Sequence, residues 1–405
     1  MHILILSWEY PPHVVGGIGT HVHALVPALA RQGVQVTVVT PRWSGGDPIT
    51  PLSDNAIVYR VEPPVARMGN FFADVQQTNL NLEEAIHALW RMDGAADASP
   101  GFDVIHAHDW LVAFAADSLK RLHKTPMIAT IHATERGRGR GYLSSEMSYA
   151  INGTEWWLAY EAWRVITVSN YMANEVRDYF QLPVDKTDVV YNGVETAPFD
   201  ALDGMDLSAD RLRWAQPEEQ LVFFVGRMNF EKGAHVLVEA APRVLASRPG
   251  VKFVLAGTGP MIDNLRRRVY ELGITDKVQI AGFVPDDDRN RLLRMADVAV
   301  FPSLYEPFGI VALEAMAARC PVVVSDVGGL REVVRHEQTG IIVHPEDPDS
   351  LTWGILRALE DPQGAAARAA RAYQIVRSDY CWDRIAERTL RVYEQVIRER
   401  RLVNW

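Results

Sequence analysis

The sequence has 405 residues, of which 48% are apolar and 23% charged, the proportions of a folded globular protein rather than a disordered one. Its length predicts two or three domains, because single hydrophobic cores stop growing at smaller sizes. A net charge of −10 argues against nucleic acid or an anionic membrane as the main partner. The two cysteines, Cys320 and Cys381, are too few for a disulfide scaffold or a zinc knuckle and suit a reducing cytoplasm.

Neither a targeting segment nor a membrane span is expected. The first apolar run, residues 2–6, has the length of a strand and lacks the basic start and longer apolar core of a signal peptide. No stretch of the sequence approaches the roughly 18 consecutive apolar residues that cross a bilayer. We therefore expect a cytoplasmic protein without an integral membrane segment.

Short apolar runs alternate with helical patterns along the first half of the chain. A strand-like run at 2–7 is followed by a glycine-bearing turn, then by apolar residues at three- and four-residue spacing from Val22 to Leu29, then by a β-branched run at 34–39. Further strands are predicted at 103–106, 127–132 and 164–168. Strands that alternate with helices indicate parallel β-α-β units.

The same rhythm restarts after residue 218. Strands are predicted at 221–225, 252–256, 277–281, 298–302, 321–325 and 340–343. The polar stretch 193–217 between the two series is predicted to be a linker. A helix with one apolar face is predicted at 382–399.

These elements predict an α/β protein built from two Rossmann-like domains. The first domain is placed at 1–195 and the second at 196–375, followed by a terminal segment at 376–405. Two doubly wound domains side by side would face a cleft lined by the carboxyl ends of their strands, where ligands bind in such folds. The residues at those strand ends therefore decide the function.

Gly16 and Gly17 follow the first strand and open a helix. Glycines there let backbone N–H groups approach an anion, and the helix dipole favours negative charge. The spacing matches neither the dinucleotide-binding fingerprint nor a P-loop. The pattern predicts an anion site or, alternatively, a tight turn without a ligand.

Histidines close two neighbouring strands. His106 and His108, with Asp109 and Trp110, follow the strand at 103–106, and His132 ends the next one. Three interpretations stay open: a sugar site with Trp110 as its wall, hydrogen-bonded structural histidines, and a metal site whose further ligands are not evident.

Arg227 ends the strand at 221–225, and Lys232 lies at the start of the following helix. Two cations five residues apart are predicted to converge on one small volume, where positive charge opposes the helix dipole. A diphosphate fits that volume, since charge-assisted hydrogen bonds contribute roughly 1.5–3 kcal/mol each. The alternative is a solvated pair of cations.

Glu306 follows the strand at 298–302, and Glu314 comes eight residues later in a helix predicted to begin near Gly309. Because the neighbours of Glu314 are apolar, the acid is expected to be buried and to need a partner. The two carboxylates are predicted to hold two parts of one ligand, one of them facing a sugar.

Two further motifs predict no catalytic chemistry. The triplet Asp286–Asp288 follows Pro285 at a helix start, where Asp caps the helix and balances its dipole. The Arg-Gly repeat at 136–141 resembles an RNA-binding tract, but in an acidic β/α protein we predict a mobile loop.

Together these motifs resemble the retaining glycosyltransferases of family four, which have the GT-B fold, close to the glycogen synthase-like branch. The matching motifs occur in the right order along nearly the whole chain: Gly16-Gly17, His106-x-His108-Asp109-Trp110, Asn192-Gly193-Val194, Gly226-Arg227, Lys232-Gly233, Gly257-x-Gly259, Glu306-Pro-Phe-Gly with Glu314, Asp326-Val-Gly-Gly and Tyr380-Cys-Trp382.

The resemblance implies four catalytic residues. Arg227 and Lys232 would hold the diphosphate of the donor and stabilise the leaving group. Glu306 would hold the hydroxyls of the sugar, and His108 would contact the transferred sugar near its reactive carbon.

The other donor-binding positions implied by the resemblance are Gly16, Gly17, Phe283, Val284, Phe308, Gly309 and Glu314. Gly16 and Gly17 would contact the phosphates or the donor sugar, and Phe283 and Val284 would flank the base. The backbone of Phe308 and Gly309 would hold the sugar, and Glu314 would bind the ribose hydroxyls. The resemblance also implies that the helix at 382–399 crosses back to the first domain.

The implied reaction is retaining transfer of a hexosyl group, α-glucosyl in the nearest branch, from an ADP-, UDP- or GDP-linked donor to a glucan or small hydroxyl acceptor. It requires no metal and no other cofactor. One position departs from relatives that use ADP-glucose, which carry Lys where this chain has Val14. The alternatives are a non-catalytic nucleotide-sugar-binding or regulatory subunit, a mannosyl- or sucrose/trehalose-type transferase, and a metal-dependent hydrolase built on His106 and His108.

Overall fold

The computed structural model describes residues 1–64, 69–92 and 101–404. The chain forms two compact units: unit 1 comprises Met1–Asn192 with Trp382–Trp405, and unit 2 comprises Gly193–Cys381. These boundaries differ from the predicted 195 and 375, because the last helix of unit 2 continues to Asp379. None of the helices in the described ranges combines the length and the apolar character that crossing a bilayer demands.

Unit 1 alternates strands and helices for most of its length. Its elements are β1 (His2–Ser7), α1 (Gly17–Arg31), β2 (Gln35–Pro41), β3 (Ile49–Ser53), β4 (Ala56–Val61), α2 (Phe71–Met92), β5 (Val104–His108), α3 (Ala113–His123), β6 (Met127–Ile131), α4 (Glu135–Arg138), α5 (Glu146–Glu161), β7 (Arg164–Thr167), α6 (Asn170–Phe180) and β8 (Thr187–Val189).

The sheet of unit 1 has the strand order β3-β4-β2-β1-β5-β6-β7-β8 in the part of the chain that the structure describes. Only the β3–β4 pair is antiparallel. The winding reverses at β1, since β2 lies on one side of this strand and β5 on the other. Ligands bind outside the carboxyl ends of strands at such a reversal. Ser7, His108 and Thr130 lie side by side there in register.

Unit 2 repeats the same plan. Its elements are α7 (Ala197–Asp200), α8 (Ser208–Arg211), β9 (Gln220–Val225), α9 (Ala234–Ser247), β10 (Val251–Ala256), α10 (Ile262–Glu271), β11 (Val278–Gly282), α11 (Asp286–Met295), β12 (Val298–Phe301), α12 (Ile310–Ala317), β13 (Val322–Ser325), α13 (Leu330–Val333), β14 (Ile341–Val343), α14 (Pro348–Glu360) and α15 (Pro362–Asp379).

The sheet of unit 2 is parallel throughout, with the order β11-β10-β9-β12-β13-β14. Its winding reverses between β9 and β12. The loops after these two strands carry Arg227 and Glu306, so the sequence motifs fall at the position where this topology places a ligand.

The elements form where the apolar pattern fits their period. The six residues after Gln35 in β2 are all buried, as in a parallel strand covered on both faces. In α1, Val22, Leu25 and Leu29 recur at helical spacing and join the core of unit 1.

The terminal helix, α16 (Trp382–Arg401), packs in the core of unit 1. Its buried side chains include Ile385, Val392 and Val396, one face of the helix. The hydroxyl of Tyr393 lies 2.7 Å from Nδ1 of His106 in the middle of β5. The predicted return of this helix to the first domain is confirmed.

Several short elements escaped the sequence prediction. Strands β3 and β4 have mostly exposed or half-buried side chains, and β8 spans three residues, too few for a period to show. The predicted linker at 193–217 instead holds α7 and α8 and belongs to unit 2. Phe199 in α7 is buried, and the hydroxyl of Tyr373 donates to Asp200 at 2.6 Å, which fixes this segment.

The two motifs for which no catalytic chemistry is predicted, 286–288 and 136–141, form ion pairs and hydrogen bonds within the protein. Asp286–Asp288 occupy the first turn of α11 as predicted, but Pro285 precedes them and no side chain caps this helix. Asp288 is ion-paired with Arg213 at 3.0 Å instead. The Arg-Gly repeat begins as α4 rather than as a loop, because the hydroxyl of Thr134 accepts a hydrogen bond from the backbone N–H of Gly137.

Two glycines inside helices provide a matched stability test. A methyl group at exposed Gly153 in α5 would meet no atom within 4 Å, whereas at Gly354 in α14 it would lie 2.5 Å from Val343 Cγ1 and 3.0 Å from Val323 Cγ1. We expect Gly153→Ala to raise the free energy of unfolding by about 1 kcal/mol through helix propensity. Gly354→Ala should lower it by about 1–2 kcal/mol, because overpacking outweighs that gain. Urea unfolding measures the free energy of unfolding of both variants. Changes of the same sign in the two would show that this packing is misassigned.

Candidate active site

A close backbone approach joins the two loops at the reversal point of unit 2. Gly233 has φ +69°, and a Cβ on it would lie 1.8 Å from the carbonyl oxygen of Pro302, so only glycine fits. The backbone N–H of Leu304 donates to the carbonyl of Glu231 at 2.7 Å. The residues that follow β9 are thereby fixed beside those that follow β12.

This contact brings together Lys232 and Glu306, which are 74 residues apart in sequence. Nζ of Lys232 lies 2.7 Å from Oε2 of Glu306, and Oγ of Ser303 lies 3.3 Å from the same oxygen. Only 18% and 9% of the lysine and glutamate side chains are exposed. Removing one partner of such a pair leaves an uncompensated charge, so the pair constrains the local geometry.

Arg227 lies at the end of β9 with half of its side chain exposed. One of its guanidinium nitrogens is 3.3 Å from Oε1 of Glu231, an oxygen that also accepts a hydrogen bond from the side chain of Asn229 at 2.9 Å. The two predicted cations thus lie at the same end of β9, each held by its own carboxylate. The sequence prediction missed Glu231 as the residue that orients Arg227.

Glu314 lies in the second turn of α12, which begins after Gly309 as predicted. Its side chain is 14% exposed, and burial raises the pKa of its carboxyl, against the opposing charge of Arg289. Oε1 of Glu314 is 3.5 Å from Arg289, the partner that a buried acid needs. Arg289 carried no sequence signal, because it lies in another helix among other charged residues.

The remaining predicted donor positions of unit 2 differ in exposure. The side chain of Phe308 is buried, which leaves only its backbone for a ligand, and the predicted backbone contact with a sugar stays a prediction. Phe283 is 74% exposed, whereas Val284 is only 8% exposed. The prediction that this loop flanks a base stays a prediction, with the side chain of Phe283 available to a ligand and that of Val284 packed inside.

In unit 1 the glycine loop already binds an anion, the carboxylate of Glu9. Oε2 of Glu9 accepts hydrogen bonds from the backbone N–H groups of Val15 and Gly16 at 2.9 Å and of Gly19 at 3.3 Å. The prediction that Gly16 offers its N–H to a phosphate therefore does not fit this structure. Gly17 begins α1 immediately after the bonded pair.

The two histidines of β5 are internal. Nδ1 and Nε2 of His106 lie 2.7 Å from the hydroxyls of Tyr393 and Thr130. His108 has no exposed surface, and its Nδ1 lies 3.0 Å from Nε2 of His132. The side chain of His108 is thus covered in this structure, and its expected contact with a sugar stays a prediction. His132 keeps 9% of its surface.

A third imidazole completes this cluster. His21, on α1, lies 2.6 Å from Oδ1 of Asn192 through its Nδ1. One ligand atom from each of His21, His108 and His132 lies within 4.8 Å of the others, the one such grouping of potential metal ligands among the described residues. Hydrogen bonds already occupy Nδ1 of His21 and of His108, so a metal would have to use their Nε2 atoms.

Asp109 is a candidate functional residue. The sequence prediction named it as part of a motif but assigned it no role. Its backbone has φ 59° and ψ 175°, a region that non-glycine residues rarely occupy and that costs of order 1–3 kcal/mol. Oδ1 of Asp109 accepts the backbone N–H of His132 at 2.7 Å, and burial raises the pKa of the carboxyl to about 7. Its backbone N–H donates to Thr130, which helps to hold the strained conformation.

Burial sets the charge state of this edge of unit 1. It lowers the pKa of His21 to about 4 and that of His106 to about 3, with the imidazole of His21 adding to the effect at His106. Burial also raises the pKa of Glu155 to about 8, against its hydrogen bonds from the backbone N–H of Glu135. The imidazoles are therefore neutral at pH 7.

Comparison with known proteins gives the family. The chain matches Glycosyltransferase Family 4 over residues 15–198 and Glycosyl transferases group 1 over residues 210–375. An uncharacterized glycosyltransferase of Methanocaldococcus jannaschii is 39% identical over 97% of this chain and 98% of its own length. The chain is a family 4 glycosyltransferase.

Two further known proteins are similar to this family 4 glycosyltransferase. A glycogen synthase of Mycobacterium tuberculosis is 38% identical over 97% of this chain and 94% of its own length. The catalytic domain of starch synthase IV from Arabidopsis thaliana, bound to ADP and acarbose, superposes with a TM-score of 0.76 at 18% identity, covering 98% of this chain and 99% of that one. The predicted GT-B fold, the family and the enzyme class are confirmed, whereas the roles of individual site residues stay predictions.

The neutral imidazoles predict acid sensitivity. When folding lowers the pKa of a histidine, the unfolded chain binds a proton at a higher pH than the folded chain does. The free energy of unfolding therefore falls as the pH drops below about 6.5, and it stops falling near the pKa of the histidine in the folded state. We expect the unfolding free energy of the wild type to fall more steeply between pH 6 and 4.5 than that of His21→Gln, by about 1.4 kcal/mol per pH unit. Above pH 7 the difference between the two proteins should be constant, which serves as the internal control. Parallel curves across the whole range would contradict the assigned burial.

Proposed function

We propose that this enzyme transfers a hexosyl group, specifically α-glucosyl, with retention of configuration from a nucleotide diphosphate sugar to a glucan or a small hydroxyl acceptor. The Lys232–Glu306 ion pair at the reversal point of unit 2 carries the proposal. With Arg227 beside it, this edge offers two cations to a diphosphate and a carboxylate to sugar hydroxyls.

The cations would act on the leaving group. Cleavage of the bond between the sugar carbon and the phosphate oxygen leaves negative charge on the nucleoside diphosphate, and fixed positive charges lower the energy of that state. Arg227 is half exposed and so is accessible to a phosphate, while Lys232 is held in place by Glu306 and Ser303. A preorganised site needs no rearrangement during the reaction.

Retention would follow if the acceptor enters on the face from which the phosphate leaves. The acceptor oxygen forms the new bond to the sugar carbon, and its proton passes to the departing phosphate oxygen. Glu306 is committed to Lys232 at 2.7 Å, which suits a residue that orients sugar hydroxyls better than one that attacks carbon. This route uses no protein nucleophile.

We assign the sugar-contacting histidine to His132 rather than His108. His132 retains exposed surface, whereas His108 has none. The backbone of His132 is held by the strained residue Asp109. Strain of this kind is concentrated at functional sites because the surrounding structure must enforce it.

The relatives support the donor and acceptor classes. The similar Mycobacterium tuberculosis protein is a glycogen synthase, and the Arabidopsis thaliana starch synthase domain binds ADP and acarbose. We therefore propose an ADP-, UDP- or GDP-linked hexose as donor and an α-glucan as the first acceptor to test. Both cysteines are free thiols, which suits the proposed cytoplasmic location.

The test is a transfer assay of the purified chain with each of the three donor types and maltooligosaccharide acceptors, with and without chelator. Nucleoside diphosphate release measures turnover, and proton NMR of the first product shows whether the new linkage is α. Turnover that gives an α product supports the proposal. A β product from an α-linked donor, or no turnover with any donor, would exclude it.

Lys232→Ala should lower kcat/KM about 100-fold, since it removes one charge from leaving-group stabilisation. Lys277→Ala is a matched control, because Lys277 also forms a 2.7 Å ion pair with a mostly buried partner of unit 2, Glu219. Both variants lose a partly buried salt bridge, so similar losses of stability are expected. An equal loss of activity in the two would refute the phosphate role of Lys232.

A further inference from the structure

The negative charge that stabilises the N-terminus of α1 comes from a residue outside the helix. No acidic residue lies in the first turn, and Gly16 at the N-cap position has no side chain to cap it. Glu9 supplies both the cap and the charge, through one oxygen that accepts three backbone N–H groups. Charge-assisted hydrogen bonds at a helix N-terminus are stronger than neutral ones.

Glu9 is built into the edge of the sheet. It follows β1 at the reversal point of unit 1, and only 7% of its surface is exposed. The hydroxyl of Ser7 donates to the backbone carbonyl of Glu9 at 2.7 Å and fixes its backbone. A Cβ on Gly19 would lie 3.0 Å from Oε2 of Glu9, so the helix approaches the carboxylate closely.

This geometry separates two possible uses of the glycine loop, residues Val15–Gly19. If the loop bound the donor phosphates through these N–H groups, Glu9 would be a competitor that the donor must displace. A displaced carboxylate would need another partner inside a buried edge, where an unpaired charge is costly. The internal bond is therefore the working state of the loop.

We propose that Glu9 is a positioning residue for sugar transfer: its carboxylate holds the glycine loop in its active shape, and the bonded N–H groups serve the chain's own anion rather than the donor phosphates. The role in transfer rests on the proposed function. The hold on the loop does not, and it is measured separately.

Hydrogen exchange of the loop amides tests the hold directly. In Glu9→Ala the amides of residues 15–19 should exchange about tenfold faster or more than in the wild type, and Glu9→Gln should be intermediate because a neutral oxygen still accepts. Glu62→Gln, an exposed acid of unit 1, is the control and should exchange like the wild type. Unchanged exchange in both Glu9 variants would overturn the proposal whatever the activity.

Kinetics and binding test the positioning role. In Glu9→Ala we expect kcat to fall about 10- to 100-fold while the Kd for the nucleoside diphosphate changes less than threefold, with partial rescue of kcat in Glu9→Gln. Tighter diphosphate binding by Glu9→Ala, tenfold or more, would show instead that Glu9 competes for a phosphate site. Wild-type kcat in both variants would also refute the positioning role. If the wild type itself lacks transfer activity, the proposed function fails, and the exchange experiment still decides whether Glu9 holds the loop.

Discussion

The ion pair between Lys232 and Glu306 is the interaction on which the proposed donor site of unit 2 depends. It forms because β9 and β12 are neighbours at the point where the winding of the sheet reverses, so two loops 74 residues apart meet there. Gly233 permits that meeting by leaving room for the carbonyl of Pro302. Arg227, after β9, and Glu314, in α12, each have their own partner of opposite charge, Glu231 and Arg289.

The equivalent edge of unit 1 uses its polar groups differently. Glu9 occupies the glycine loop, and His106 and His108 bond to internal partners. Asp109 is held in a strained conformation against the backbone of His132, which retains exposed surface. Most polar side chains named at this edge therefore bond to other groups of the protein, and only a few remain available to a ligand.

The sequence predicted what depends on local pattern. The central strands, α1 and the terminal helix were predicted from their apolar period, and the positions of Arg227, Lys232 and Glu306 from strand ends. The start of α12 near Gly309 then placed Glu314 inside that helix. The sequence could not distinguish His132 from His108, since exposure depends on how α1 and α16 cover β5. Glu9, Glu231 and Arg289 were missed for a related reason: they act as partners of other residues, and partners are set by tertiary contact rather than by spacing.

If the edge of unit 2 at β9 and β12 binds the diphosphate of a nucleotide sugar, the β-phosphate must contribute to affinity. Calorimetric titration of the wild-type chain with ADP, UDP and GDP, and with the corresponding monophosphates, measures that contribution. We expect one diphosphate to bind, and removal of its β-phosphate to weaken binding about tenfold or more through lost charge-assisted bonds. Equal affinity for the mono- and diphosphates of every base would show that this edge does not bind the diphosphate.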